Sequence, residues 1–196
     1  MKAKPLALVL AVLLSMALAA VACNDGKEEP APDTQPTTAP TEEARTMPVT
    51  VYFANTEQNP NMEDCSLVFP TERQVPTTDT VAEATLTELF RGPNDAEASE
   101  GFRSFFSSET DGVLIGLKIE GDTAYVNLAD IRGIISGANS SCGSAEFFAE
   151  VEQTLADAAS VRRVIFAIDG DPATFYEWMP IGCGESNDNC DPTPFQ

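Results

Sequence analysis

Thr80–Pro93, TVAEATLTELFRGP, carries a start, a face and a stop for one helix. Thr80 and Glu83 have the T-x-x-E spacing of a capping box, in which each side chain satisfies an amide at the helix start. Ala82, Leu86 and Leu89, with Phe90 beside them, recur at i, i+4, i+7 and i+8 and make one apolar face. Gly92-Pro93 ends the helix, because Gly accepts positive φ and Pro cannot continue the hydrogen-bond ladder.

Working outward, the flanks read as strands. Val49–Ala54, VTVYFA, is rich in β-branched and aromatic residues. Asn55–Asp64 is a polar loop, and Ser66–Val75 is a second extended segment. Beyond the helix, Asn94–Ser108 begins acidic and then carries Phe102, Phe105 and Phe106, which are expected to be buried against a sheet. Val113–Ile119 and Thr123–Leu128 alternate apolar and polar residues around Gly121-Asp122, the signature of a hairpin with a two-residue turn. Ala129–Ile135 reads as a short helical turn. Ser144 is placed to cap a second helix with Phe147, Val151, Leu155 and Ala158 as its inner stripe. Val161–Asp169, VRRVIFAID, is a last strand ending at Gly170. The order β-β-α-β-β-α-β predicts an α+β fold, a small sheet with two helices packed on one face. The chain contains no internal repeat.

Composition narrows the function. The sequence has 196 residues, with 31 acidic against 11 basic side chains and a formal net charge of −20. Nucleic acid is excluded as a partner, since phosphate contacts need clustered Lys and Arg. Adsorption to an anionic bilayer by charge alone is excluded for the same reason. There is no histidine, which removes Ser-His-Asp and Cys-His catalysis and the usual His-bearing zinc sites.

Met1–Ala22 reads as an export signal: Lys2 and Lys4, an apolar run from Pro5 to about Leu18, then small residues. Ala19-Ala20-Val21-Ala22-Cys23 resembles a bacterial lipobox, which predicts acylation of Cys23. Ala20 stands where such motifs most often carry Leu, and Ala20-Val21-Ala22 is also a fair site for ordinary signal peptidase. Residues 24–47 contain Pro30, Pro32, Pro36 and Pro40 among Thr, Glu and Ala, with little to bury. Such a tether reaches on the order of 25–75 Å, from random coil to polyproline II.

Four further cysteines remain: Cys65, Cys142, Cys183 and Cys190. An even number in an exported domain predicts disulfides, with three pairings open. Cys183 with Cys190 most simply closes a small loop in the polar tail, leaving Cys65 to join Cys142 across a long one, worth roughly 3–5 kcal/mol on an entropic account.

Together these residues resemble a family. VTVYFA, then T-x-x-x-A-x-x-x-L-x-x-L-F-R-G-P over Thr78–Pro93, I-E-G-D-T-A-Y-V-N-L over Ile119–Leu128, E-Q-T-L over Glu152–Leu155, and V-R-R-V-I-F-A-I-D-G over Val161–Gly170 follow the order of the GerMN domain. The resemblance covers residues 48–170. It implies a fold similar to the ring-building motifs of secretion-type assemblies, and a non-catalytic, extracytoplasmic interaction module of the kind common in bacterial lipoproteins. The family is named for spore germination and sporulation proteins, yet the domain also occurs outside spore formers. Residues 171–196 lie beyond it.

No catalytic, metal or cofactor residues are assigned. Asp169-Gly170-Asp171 and the acidic Glu185–Asp191 lack the ligand spacing of a calcium loop and read as a turn and a solvated loop. Glu146, Glu150 and Glu152 read as a solvated helix face. Phe175, Tyr176, Trp178 and Met179 in the tail are either a strap over the sheet or a contact surface for a partner, since aromatics dominate interface energetics. The expected partners are envelope proteins or further copies of the chain, with the membrane reached through the lipid on Cys23. The alternative expectation is a lipoprotein that binds a small ligand, glycan or metal through its C-terminal tail, and a carboxylate hydrolase is the third.

Overall fold

A computed structural model describes residues 45–183 and 188–196. The export signal, Cys23, the linker up to residue 44 and residues 185–187 of the acidic stretch 185–191 lie outside the described residues.

Strand β1, Thr46–Asn55, pairs antiparallel with β2, Phe69–Pro76, from Thr46 opposite Pro76 to Phe53 opposite Phe69. Helix α1, Val81–Phe90, follows and buries Leu86, Leu89 and Phe90, with Ala82 packed at the margin. The expected capping box does not form. The Thr80 hydroxyl lies 3.1 Å from that of Thr78, and no side chain caps the helix start. The box forms one element later, at the five-residue helix α2, Asp95–Ser99. There Asn94 Oδ1 accepts from the amides of Ala96 and Glu97, and Glu97 Oε2 accepts from Asn94 N. Glu97 also receives the Arg73 guanidinium at 2.6 Å, while Arg73 donates to the carbonyls of Glu88 and Gly92 and stands 5.3 Å from the Phe53 ring. One side chain of β2 therefore holds the end of α1 and the start of α2 together.

After the two-residue strand β3, Phe102–Arg103, come β4, Leu114–Glu120, and β5, Thr123–Leu128. They pair antiparallel around Gly121, whose φ of +64° takes the first central position of a two-residue hairpin loop. Ala129–Ile135 contains the expected turn, closed by Ile135 N to Ile131 O. Helix α3 runs over Ser141–Ala159 and is capped by Ser140 Oγ on Gly143 N. Ser144 is thus inside the helix and not its cap. Strand β6, Arg163–Ile168, then pairs parallel with β5, the long crossover being α3.

The strands form two three-stranded sheets, β2-β1-β3 and β4-β5-β6, and not the single small sheet expected. Beyond the two expected helices stand α2 and α4, Pro172–Trp178. One core joins everything: Val51 and Phe53 of the first sheet, Val126, Leu128 and Phe166 of the second, and Leu86, Phe147, Val151 and Leu155 of the helices. Phe106 is buried in it, with Phe102 and Phe105 packed alongside. Cys65 is bonded to Cys142 and Cys183 to Cys190, with Cα separations of 5.3 and 5.8 Å. The first bond ties the loop after β1 to the opening turn of α3.

Candidate functional site

The strongest concentration of unusual chemistry lies on the inner face of α3. Glu146, Glu150 and Thr154 recur at intervals of four, one position ahead of Phe147, Val151 and Leu155, so a polar ridge runs beside the apolar one. All six are buried. The ridge meets the edge of β1 that β3 covers only at Ala54 and Asn55. Thr154 Oγ1 accepts from Tyr52 N at 3.1 Å, and Glu150 Oε1 accepts from Ala54 N at 3.2 Å. Alternate strand amides and side chains one helical turn apart have nearly the same spacing, about 6–7 Å. A helix therefore finishes the edge of this strand with its side chains.

Ser104 Oγ donates to the second oxygen of Glu150 at 2.6 Å and accepts from Phe106 N at 3.0 Å. Glu146 receives Arg103 Nη1 at 2.7 Å. Burial pushes the Glu150 carboxyl well above the ordinary value; the neighbouring Glu146 charge adds to the effect, and Ser104, Ala54 N and Arg103 oppose it. Burial likewise raises Glu146, with Arg103 opposing. The expectation of a solvated face is thus wrong for Glu146 and Glu150, although Glu152 is exposed. A carboxyl with no exposed surface cannot touch a substrate, so Glu150 serves the architecture.

The pH dependence has a definite sign. A carboxyl whose folded pKa is raised stabilises the fold below its unfolded value, and that contribution is lost as pH rises through the folded value. Glu150→Gln, a neutral isostere of the protonated acid, is expected to keep the Ala54 bond and flatten the loss of stability between pH 5 and pH 8. Urea unfolding at the two pH values measures it. Parallel curves for both proteins would show that Glu150 is ionised in the fold. On the acid side Glu97 acts oppositely: burial disfavours its charge, but Arg73 and Asn94 more than offset this, and its pKa is lowered. Its contribution is lost as pH falls.

The tail aromatics are part of the core. Phe175 is 0%, Met179 1% and Tyr176 3% exposed, and Trp178 is half-buried against Phe175 and Phe147. Phe175 stacks on Phe166 at 4.8 Å, and Tyr176 Oη accepts from Phe166 N at 3.3 Å. Phe175, Tyr176 and Met179 therefore offer no surface to a partner. Their spacing at i, i+1 and i+4 is that of a helix burying one face, which is what α4 does against β6. Asp171 caps this helix through Ala173 N and Thr174 Oγ1, and Gly170 turns the chain at φ +81°. The turn reading of Asp169-Gly170-Asp171 describes that segment. Among the described residues no three of His, Cys, Asp or Glu group closely enough to hold a metal ion, and no helix is long and apolar enough to cross a membrane.

What remains open is a strand edge. β4 is an outer strand of its sheet, with Ile115 54% and Ile119 38% exposed. Beside it a groove of about 370 Å³ runs between Leu117 and Ile119, the start of α1, and Ala158 and Ala159 at the end of α3. A larger cleft of about 710 Å³ lies near Arg73 and Arg91, whose guanidinium groups are already paired with Glu97, Glu88 and Asp111.

Two small sheets, a disulfide, buried carboxyls that serve the architecture and the open edge of β4 define a compact α+β module. The chain belongs to the Germane family, described as sporulation and spore germination, whose model matches residues 50–174. The match reaches into α4, so the first residues of the tail belong to the domain. Among solved structures, the tandem GerMN domains of the sporulation protein GerM from Bacillus subtilis are similar at 20% identity and a TM-score of 0.45. That alignment covers 68% of this chain and 43% of the other, so the chain spans less than half of the tandem protein. No curated protein matches the sequence.

Proposed function

We propose that this chain is an extracytoplasmic lipoprotein, held to the bacterial membrane by an acylated Cys23, whose Germane-family domain mediates protein–protein interactions in the envelope, with envelope proteins or further copies of itself, and catalyses nothing. The observation that carries the interaction is the outer edge of β4, with Ile115 and Ile119 exposed and Ile119 lining the groove. Unpaired backbone groups and apolar side chains in one strip are what an added strand or an apolar segment recognises. Family membership supports a non-catalytic role. The export-type leader and proline-rich tether support the anchor, since a domain held by its N-terminus needs reach to meet partners.

Two measurements test this. Metabolic labelling with a fatty-acid analogue is expected to mark the full-length chain, and Cys23→Ser is expected to move it from the membrane pellet to the soluble fraction. An unlabelled wild-type chain in the soluble fraction would sink the anchor. Photo-crosslinking from position 115 in native membranes, read by mass spectrometry, is expected to recover a protein partner. Failure to recover any protein from that position would sink the interaction surface.

A further inference from the structure

Apart from the two-residue β3, the other strand edges among the described residues are finished. β1 is closed by Glu150 and Thr154 of α3. β2 begins Phe69-Pro70 and ends at Pro76, with Glu72 and Gln74 exposed between them; proline and charge both blunt an edge. β6 is met by the Tyr176 hydroxyl at Phe166 N and bridges to Asp171 at its end. β4, LIGLKIE, is irregular between Leu114 and Gly116, but from Leu117 to Glu120 it has no proline, no bulge and no backbone partner on its outer side among the described residues. Its pairing with β5 sets Glu120 opposite Thr123 across the two-residue turn. Antiparallel alternation then turns the N–H and C=O groups of Glu120 and Lys118 toward β5 and those of Ile119 and Leu117 outward.

We infer that the occupant of this edge is a second copy of the chain, paired β4 to β4 in antiparallel register about Ile119. Charge selects this partner and this register. Lys118 and Glu120 share one face of the strand, 2.9 Å apart as an ion pair within the chain. A two-fold axis through Ile119 sets Lys118 opposite Glu120 of the other copy, twice. Both pairs fall at non-hydrogen-bonded positions, where Cα atoms stand about 4.5 Å apart and side chains lie closest. The outward backbone groups of the two Ile119 residues bond each other, and each Ile119 side chain covers its twin. A lysine on an edge ordinarily repels added strands; here it meets a glutamate only when the partner is this sequence, reversed. Gly121 turns the chain away just beyond Glu120, so the two β4-β5-β6 sheets join over a short seam, residues 118–120 of each copy. The contact is small and hence weak in dilute solution, and confinement of both copies on one membrane raises their effective concentration. The inference rests on the interaction surface proposed above and adds its occupant.

The test uses the full-length chain in its native membranes. Ile119→Cys is expected to give a disulfide-linked homodimer on mild oxidation, because a directly opposed antiparallel pair brings Cα atoms within about 5.5 Å, inside disulfide range. Gln74→Cys on β2 is expected to give several-fold less, from collision alone. In the Ile119→Cys background, Lys118→Glu or Glu120→Lys is expected to cut the dimer yield several-fold, and the two together to restore it. Melting curves confirm that each variant is folded. A yield from Ile119→Cys no higher than from Gln74→Cys, or an unchanged yield after a single charge reversal, would overturn the inference. Crosslinks from position 115 to a different protein, with no Ile119→Cys homodimer, would overturn it while leaving the proposed function standing.

Discussion

Phe147→Ala is expected to destabilise the domain by about 3–5 kcal/mol, the range for deleting a large buried aromatic. Phe147 has no exposed surface and packs against rings from three separate parts of the chain, Phe106, Phe166 and Phe175, and against its helix neighbour Phe148. It is the residue through which the segment before β4, the second sheet and α4 share one core. The cavity cannot close without moving elements that other contacts hold, so the cost sits toward the upper end. Phe147→Leu keeps most of the volume and is expected to lose less than half as much. Urea denaturation followed by tryptophan fluorescence reads both, because Trp178 lies against the same ring. A loss below about 1 kcal/mol for the alanine variant would mean that the three regions are stabilised separately.

Gly92→Ala is the second large effect. Gly92 has φ +70°, and a Cβ there would lie 2.1 Å from the Phe106 carbonyl oxygen and 2.8 Å from Ser107 Cα. Both neighbours are backbone and cannot turn aside. The left-handed conformation alone costs an alanine about 1–2 kcal/mol, and forcing the segments apart adds about 1–3 kcal/mol. Gly112→Ala supplies the comparison: its φ is +80° but nothing lies within 4 Å of the added carbon. It is expected to show the conformational cost alone. Equal losses for the two variants in thermal or urea unfolding would show that the 106–107 segment yields freely.

The helix read from Thr80–Pro93 was legible because its apolar period and its Gly-Pro stop do not depend on the rest of the fold. Its cap was not, because T-x-x-E also occurs where the threonine prefers a neighbouring hydroxyl, as Thr80 does with Thr78. The hairpin was legible from alternation and turn chemistry, and α3 from its stripe. Two features were hidden for a shared reason. Glu146 and Glu150, four apart, look like a repelling surface pair, and only the position of the β1 edge shows why carboxyls belong there. The division into two sheets is a matter of which edges meet, and side-chain alternation is silent on that. Phe175, Tyr176 and Met179 carried a helical spacing that could have assigned them to the core.

The closure of β1 by α3 also constrains the order in which the molecule can assemble. The hydrogen bonds from Tyr52 N to Thr154 and from Ala54 N to Glu150 span 102 and 96 residues of sequence. A chain emerging N-terminus first presents β1 and its hairpin partner β2 early, while the side chains that finish the strand arrive after most of the domain has been made. For that interval the amides of Tyr52 and Ala54 have only water or another molecule to bond. Contacts of such high sequence separation slow folding, and an unfinished edge invites mispairing while they are awaited. The domain is thus expected to depend on a holding chaperone most strongly between the appearance of β2 and the completion of α3.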